Sequence, residues 1–387
     1  MSEALQQEQI VSRRLPLHEA HEQACAIFVE REGWTLPASY GAPAVEYKAV
    51  RETGAGIIDL SSRGRVRVSG SEAVQFLNGL ITNDVKALQP GAWMAAAFPN
   101  AQGRLVAPAR ILRIEDSFLI DTDVATSERV RKTLERFTLA GDFRVVDIEN
   151  EIVLFSVQGA RAAETLRLVF GETAGSVSRG HVAQIIWREH QFTIMRATHT
   201  SEDGFDIFVP TKTAQAVWNA FVNEGGARPI GYDVFETLRI EAGIPRYGVD
   251  MDETNVVTES LIEDEAVSYQ KGCYIGQEII ARIHWRGHVA KKIIGIIFDD
   301  ATNLLTPGAK IRSMDNKEIG RITSQAFSPR LSKLIALAYV KYDYLAPDTP
   351  VHIVVNDTEQ HAARVATLPL VRGSWYEQPD ASEFQNA

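Results

Sequence analysis

The chain has 387 residues, 45% hydrophobic and 23% charged, with a formal net charge of −10. That length implies two or three domains, and that composition excludes wholesale disorder. The acidic balance disfavours non-specific binding to phosphate backbones, leaving the Arg/Lys cluster at 282–292 to be read as a solvated face.

Polar residues 1–12 predict a flexible tail, matched by a polar, acidic one over 374–387. A helix is expected over 44–52, stopped by Gly54 and Gly56, and strands over 57–60 and 65–68. Ser71 is placed to cap a helix over 72–80. Three strands over 92–123 are parted by turns at 100–103 and 115–116, and an amphipathic helix follows over 126–139 with Val130, Leu134 and Phe137 on one side. Strands are expected over 143–157, 182–198 and 205–209 and helices over 160–169 and 211–224, with Asp203-Gly204 as a hairpin signal. Asp233 is placed to cap a helix running to Ala242. From Lys291 onward short β-rich runs are separated by Pro307-Gly308, Asp315-Asn316, Ser328-Pro329 and Pro347-Asp348, the spacing of a small barrel. The fold class is therefore α+β: mostly antiparallel sheets with flanking helices in two subdomains over 13–290, then a C-terminal β-barrel over 291–373.

Cys25 and Cys273 are the two cysteines, too few for a disulfide framework. With no apolar run of roughly 18 residues and no signal-peptide pattern, the chain is expected to be cytoplasmic.

Three stretches can carry chemistry. In Lys271-Gly272-Cys273-Tyr274-Ile275-Gly276-Gln277-Glu278 the glycines permit a tight path that presents a thiol, and Lys271, Arg282 and His284 are cations able to favour the thiolate. A buried cysteine acting as a small hydrophobe fits the same residues. Cys25, in helix-like Ala24-Cys25-Ala26-Ile27-Phe28, reads as packing. Glu202 stands at a hairpin mouth, where its carboxylate matches two parallel N–H donors or simply faces solvent. Arg239, on a mostly apolar helix, requires either an anionic or polar ligand or an ion pair with Glu236 or Glu241. His284 and His288 are four apart, but Gly287 and the β-rich context argue against a shared helix, and no metal site is expected. There is no Walker loop, dinucleotide glycine fingerprint or serine nucleophile elbow.

Residues 271–278 resemble the K-G-C-Y-x-G-Q-E signature of the YgfZ-type folate-binding branch of the glycine-cleavage T-protein superfamily. Gly33-Trp34, Tyr40-Gly41, Ala49-Val50-Arg51, Ile58-Asp59-Leu60-Ser61, Thr82-Asn83-Asp84, Glu202-Asp203-Gly204-Phe205 and residues 238–248 resemble the T-protein, an aminomethyltransferase. The resemblance spans about 15–370. It implies a three-domain ring around a central folate, with tetrahydrofolate or a derivative as cofactor. By resemblance Glu202 binds the pterin edge, Arg239 lines the folate site, Asn83 and Asp84 lie on a loop beside it, and Cys273 with Lys271 carries the reactive chemistry. The branch implies an accessory role toward iron–sulfur enzymes, with iron–sulfur assembly proteins or client enzymes as partners and neither nucleic acid nor membrane. Folate-dependent aminomethyl transfer or demethylation, and a non-catalytic folate-binding module, are the alternatives. The family's acidic Gly-Gly-x-x-Asp-Asp segment reads Gly103-Arg104-Leu105-Val106-Ala107-Pro108 here, so aminomethyl transfer is expected to be lost unless another carboxylate, such as Asp84, reaches the same space.

Overall fold

The computed structural model describes residues 12–377 except 301, 302, 307, 357 and 358. The Pro307-Gly308 turn and most of both expected tails therefore include residues outside the described set.

The central sheet has six strands in the order Val182–Trp187, His190–Arg196, Gly204–Pro210, Ile152–Gln158, Gly56–Asp59, Arg228–Pro229, antiparallel except for the last pair. Gly204–Pro210 and Ile152–Gln158 are buried almost throughout, because both faces of the sheet are covered. Helices Ala162–Phe170 and Ala214–Asn223 pack Leu166, Trp218 and Phe221 against Ile57 and Phe155 on one side. On the other, Trp34, Leu36 and Leu238 meet Ile58, Leu154 and Phe208. Continuous apolar runs rather than alternation are what such a doubly covered strand requires.

A second, five-stranded antiparallel sheet orders Trp93–Pro99, Leu105–Ile114, Ser117–Thr122, Gly64–Ser69 and Arg144–Asp147, with helices Ala73–Leu80 and Ser127–Glu135 over its core of Val66, Leu77, Ile111 and Leu134. A small sheet of Arg13–Arg14, Trp34–Ser39 and Ile27–Arg31 joins the first. Six strands from Lys291 to Ala366 close into a barrel, Lys291–Phe298 pairing with both Lys333–Lys341 and Gln360–Ala366. Closure leaves no open edge. The expected α+β class with a C-terminal barrel is what the chain adopts.

Several local expectations are corrected. Ser71 caps no helix; its N–H and Oγ donate to Asp142, which ties the helix start to the 142 turn. Asp233 likewise caps nothing and pairs with Arg31. The expected helix over 126–139 stops at Glu135, where Arg136–Ala140 turn in short i→i+3 steps. Asp203-Gly204 is no two-residue turn, since Asp203 is held by both Arg196 nitrogens Nε and Nη2 at 2.9 Å and the connection is the seven-residue loop 197–203. The tight hairpin is Arg188-Glu189, with φ of 47° and 69°. A helix forms at Gln277–Arg286 despite Gly287, started by Gly276 at φ 80°. The chain does not leave the fold at 374: Ser374–Tyr376 is a 3-10 turn packed onto Ser201 and Glu202.

The expected helix over 44–52 is α over Pro43–Lys48 and then a π turn over Ala49–Thr53. The extra residue in that turn, of a kind frequent at functional sites, is what aims Arg51 inward.

Candidate functional site

Glu202 is buried, with Oε1 accepting from Arg51 Nη1 at 2.9 Å and Oε2 from the Ser374 N–H at 2.8 Å and Oγ at 2.7 Å. The paired donors that a pterin edge would offer are supplied by Ser374. Arg51 is clamped on its other side by buried Glu241, whose Oε2 lies 2.7 Å from Nη2. Glu241 also accepts from Tyr47 and Ser328.

Arg239 uses all five N–H donors on protein: Nε and Nη2 to Glu236 at 2.7 and 3.0 Å, Nη1 to Asp250 Oδ2 at 2.7 Å and Ile244 O at 3.1 Å, and Nη2 to Ser324 Oγ at 2.7 Å. A guanidinium has five such donors, so none is left for a ligand. This is the ion-pair alternative, with Glu236 rather than Glu241 as partner and Asp250 as the second.

Asn83 donates to Ala95 O and Glu265 O, tying its loop to strand Trp93–Pro99 and to helix Glu263–Ala266, and Asp84 accepts from the Lys86 N–H within its own loop. Lys271 does not face the thiol as an activating cation. Its Nζ donates to the carbonyls of Asn78, Ile81 and Asn83 at 2.7, 2.8 and 2.6 Å, and burial pushes the ammonium down to about 8. Arg282 pairs with Glu278, and His284 stacks on Tyr269 beside Glu263. Cys273 is exposed on the loop ahead of helix Gln277–Arg286. Cys25 is exposed as well, at φ 60° in the turn after helix His18–Gln23, so it is not the packed helical residue expected. Lys271→Met is expected to destabilise the chain by about 1.5–3 kcal/mol, the range for hydrogen bonds to a charged group, while leaving the thiol reaction rate of Cys273 unchanged. Urea melts and a thiol-reagent time course measure the two; a slowed Cys273 would restore Lys271 to the reactive site.

The residues that do converge lie where the central sheet meets the five-stranded one. Asp206, in the middle of apolar Gly204–Pro210, takes Arg110 Nη1 and His199 Nε2, the latter at 3.0 Å. Burial pushes its carboxyl up, but His199 and Arg110 outweigh this and hold it well below the usual range. Asp121 sits between Arg110 and Arg63, each 2.7 Å away, and is lowered for the same reason. Beside this chain of charges opens a cleft lined by Trp34, Arg63, Asp123, His199, Phe235 and Arg246, among others. Two carboxyls there, Asp123 and Glu32, are raised by burial, and the cations beside them are spent on other acids: Arg63 is 3.9 Å from Asp123 but 2.7 Å from Asp121, and Arg246 is 4.0 Å from Glu32 but 3.3 Å from Glu236. Arg246 Nε is buried without a hydrogen-bond partner. The cavity is ≈ 60 Å³, against about 300–1,000 Å³ for typical small-molecule sites, so the cleft must widen to admit a ligand.

The sequence reading missed this cleft, although a signal was present. Asp121, Asp123 and Asp206 are acids in or beside apolar strands, and such acids need partners when buried. The departure at 107–108 also has a place: Ala107 is fully buried in the core with Phe98 and Ile111, while Pro108 shares the face of Arg110. Among the described residues no group of three or more His, Cys, Asp or Glu could hold a metal, and His288 stacks on Tyr342, apart from the His284–Tyr269 pair. No helix among them is long and apolar enough to cross a membrane.

Comparison with known proteins matches residues 17–268 to the GCVT N-terminal domain and 291–372 to the glycine cleavage T-protein C-terminal barrel domain. The chain is 31% identical over 365 residues to an aminomethyltransferase of Alcanivorax borkumensis, covering 94% of this chain and 98% of that one. It is 30% identical over 361 residues to an aminomethyltransferase of Rubrobacter xylanophilus, covering 93% and 94%. The crystal structure of glycine cleavage system aminomethyltransferase T from Bartonella henselae superposes with a TM-score of 0.85 at 24% identity, over 93% of this chain and 98% of that one, a likeness of fold. With a family model matching well over half of its length, this chain belongs to the glycine-cleavage T-protein family, alongside relatives named aminomethyltransferase.

Proposed function

We propose that this chain binds tetrahydrofolate, which members of its family use, and acts as a folate-dependent aminomethyltransferase. The cleft between Trp34, Phe235, His199 and the carboxyls of Asp123 and Glu32 is the pterin site in this reading. The carrying observation is the pair of raised carboxyls in an aromatic cleft, Asp123 lying 3.9 Å from Arg63 and Glu32 4.0 Å from Arg246. The donor set fits the ligand in kind: aromatic faces for the ring and carboxyls for its N–H edge. A carboxyl that keeps its proton closer to neutral pH suits the acid needed for a departing amine. Asp123 thereby takes the part that Ala107-Pro108 cannot, replacing Asp84 as the candidate. Glu202 and Arg239 are positioning residues, holding the loop 197–203 and the barrel in place.

The test is a folate titration and a methylene-tetrahydrofolate assay with a lipoylated carrier protein, on the native chain and on Asp123→Asn. Folate binding by both is expected, weaker in the variant, with turnover at saturating folate lowered about 10²-fold, the lower end for loss of a general acid. Folate binding without product in the native chain would overturn transfer.

One observation favours a second reading, the accessory role toward iron–sulfur enzymes of the YgfZ type. Cys273 is exposed on the loop 271–276, whose end is shaped by Gly276 at φ 80°, where a Cβ would lie 2.3 Å from Asn100 O. Cys273→Ser that keeps folate binding and loses complementation of an iron–sulfur enzyme defect supports this reading; full complementation sinks it.

A further inference from the structure

Two histidines of this chain are paired with buried aspartates, and they differ in what the second ring nitrogen meets. His21 puts Nε2 2.9 Å from Asp59 Oδ2 and Nδ1 2.9 Å from the Tyr40 hydroxyl. Its side chain is fully buried, so both nitrogens are used up inside the protein. His199 makes the same contact to a carboxylate. Its Nε2 lies 3.1 Å from Asp206 Oδ1 and 3.0 Å from Oδ2, and the Asp206 side chain is 0% exposed. Among the described residues, however, nothing hydrogen-bonds to His199 Nδ1, and the ring lines the aromatic cleft.

The rest of His199 is held still. Its backbone N–H donates to Gln158 Oε1 at 2.9 Å, and Gln158 Nε2 donates to Ala197 O at 3.0 Å, pinning the start of the loop 197–203. Phe235 meets the imidazole edge-on, with ring centroids 6.0 Å apart. Asp206 is anchored by Arg110, whose Nε donates to Asp121 at 2.8 Å. A carboxylate facing Nε2 places the ring's proton there and leaves Nδ1 as an acceptor. It also stabilises the imidazolium that forms when Nδ1 takes a proton.

We infer that His199 is the general base of this site, with Nδ1 accepting a proton from a substrate amine and Asp206 as its positioning residue, an assignment resting on the transfer reading above. Making methylene-tetrahydrofolate forms carbon bonds to two folate nitrogens. It breaks the carbon–sulfur and carbon–nitrogen bonds of the carrier's aminomethyl group. Two folate N–H protons are released, and the sulfur and the departing amine each gain one. His199 takes the first, and the amine leaves with the proton of Asp123. The second folate proton restores Asp123, and the one on His199 passes to the sulfur, so none is gained or lost. The His21 ring, sealed by Tyr40, is the structural counterpart with no route to a substrate.

The experiment compares the native chain with His199→Gln and His199→Ala. Glutamine keeps an N–H donor for Asp206 but has no basic nitrogen, and alanine leaves space for added imidazoles. Both variants keep Asp206 paired with Arg110. Turnover of the lipoylated carrier at saturating tetrahydrofolate is expected to fall about 10²-fold in each. Imidazoles of rising basicity should restore the alanine variant in that order, as Brønsted behaviour requires of a base. Near-native turnover by His199→Gln, or rescue that is absent or indifferent to basicity, overturns the assignment. Nitrogen NMR of the histidines, at a pH where the rings are neutral, gives a readout that needs no turnover. A protonated Nε2 and a bare Nδ1 are expected at His199, with Nδ1 shifting on addition of tetrahydrofolate while His21 does not. If the native chain makes no product, the transfer reading fails by itself and this spectrum decides: an Nε2–H ring supports a base facing the cleft, and an Nδ1–H ring removes it.

Discussion

Arg239→Met is expected to destabilise the chain by about 3–5 kcal/mol, the range for breaking a buried ion pair from one side, and to leave tetrahydrofolate affinity unchanged. All five donors of Arg239 are spent on Glu236, Asp250, Ile244 and Ser324. Ser324 belongs to the barrel strand Glu318–Ser328 and Arg239 to helix Tyr232–Glu241, so the guanidinium ties the barrel to the α+β region. Its removal strands Asp250, 1% exposed, which also accepts from Thr323 and Ser324. Methionine keeps the stem's packing, so the loss reports charge and hydrogen bonds rather than volume. Urea denaturation and a folate titration on the same protein decide the matter. A folate affinity that falls while the melt is unchanged would return Arg239 to the ligand site.

Asp206→Asn should be of similar size at pH 7, again about 3–5 kcal/mol, and should shrink on acidification. The carboxyl of Asp206 is depressed in the folded chain by His199 and Arg110 against its burial. A depressed acid contributes stability that is complete above its unfolded pKa of about 3.9 and is lost as pH falls through the window down to the folded value. In that window the unfolded chain takes up a proton and the folded chain does not, so the native protein loses about 1.4 kcal/mol per pH unit from this group. Asparagine has no such proton. The gap between native and variant at pH 3 should therefore be about 1 kcal/mol smaller than at pH 7. Urea midpoints at both pH values measure it, and a gap that does not narrow refutes the assigned charge state. Asp121, lowered by Arg110 and Arg63 against its burial, adds acid sensitivity of the same sign to both proteins.

The sequence by itself determined most of the elements, the barrel and the family. Period-2 runs separated by turn residues after Lys291 specify short strands, and closure follows because six such strands leave no edge unpaired. Apolar stripes placed Val130 and Leu134 inside, since burial of a helix face depends on spacing that local sequence records. Arg239 on its apolar helix is legible as a charge requiring partners, while Glu202 at its hairpin mouth stays open between paired N–H donors and solvent. Only the tertiary structure decided which partners they have. Glu202 meets Ser374 from 172 residues away and Arg51 from 151, the latter aimed by a π turn that no apolar period announces. Asp123, Glu32 and Arg246 come from three separate segments and converge because the two sheets pack side by side there. Periodicity tells which face a residue takes. The partner of a buried charge is chosen by packing between elements far apart in the chain, and the pKa that follows from burial and neighbours is settled at that same step.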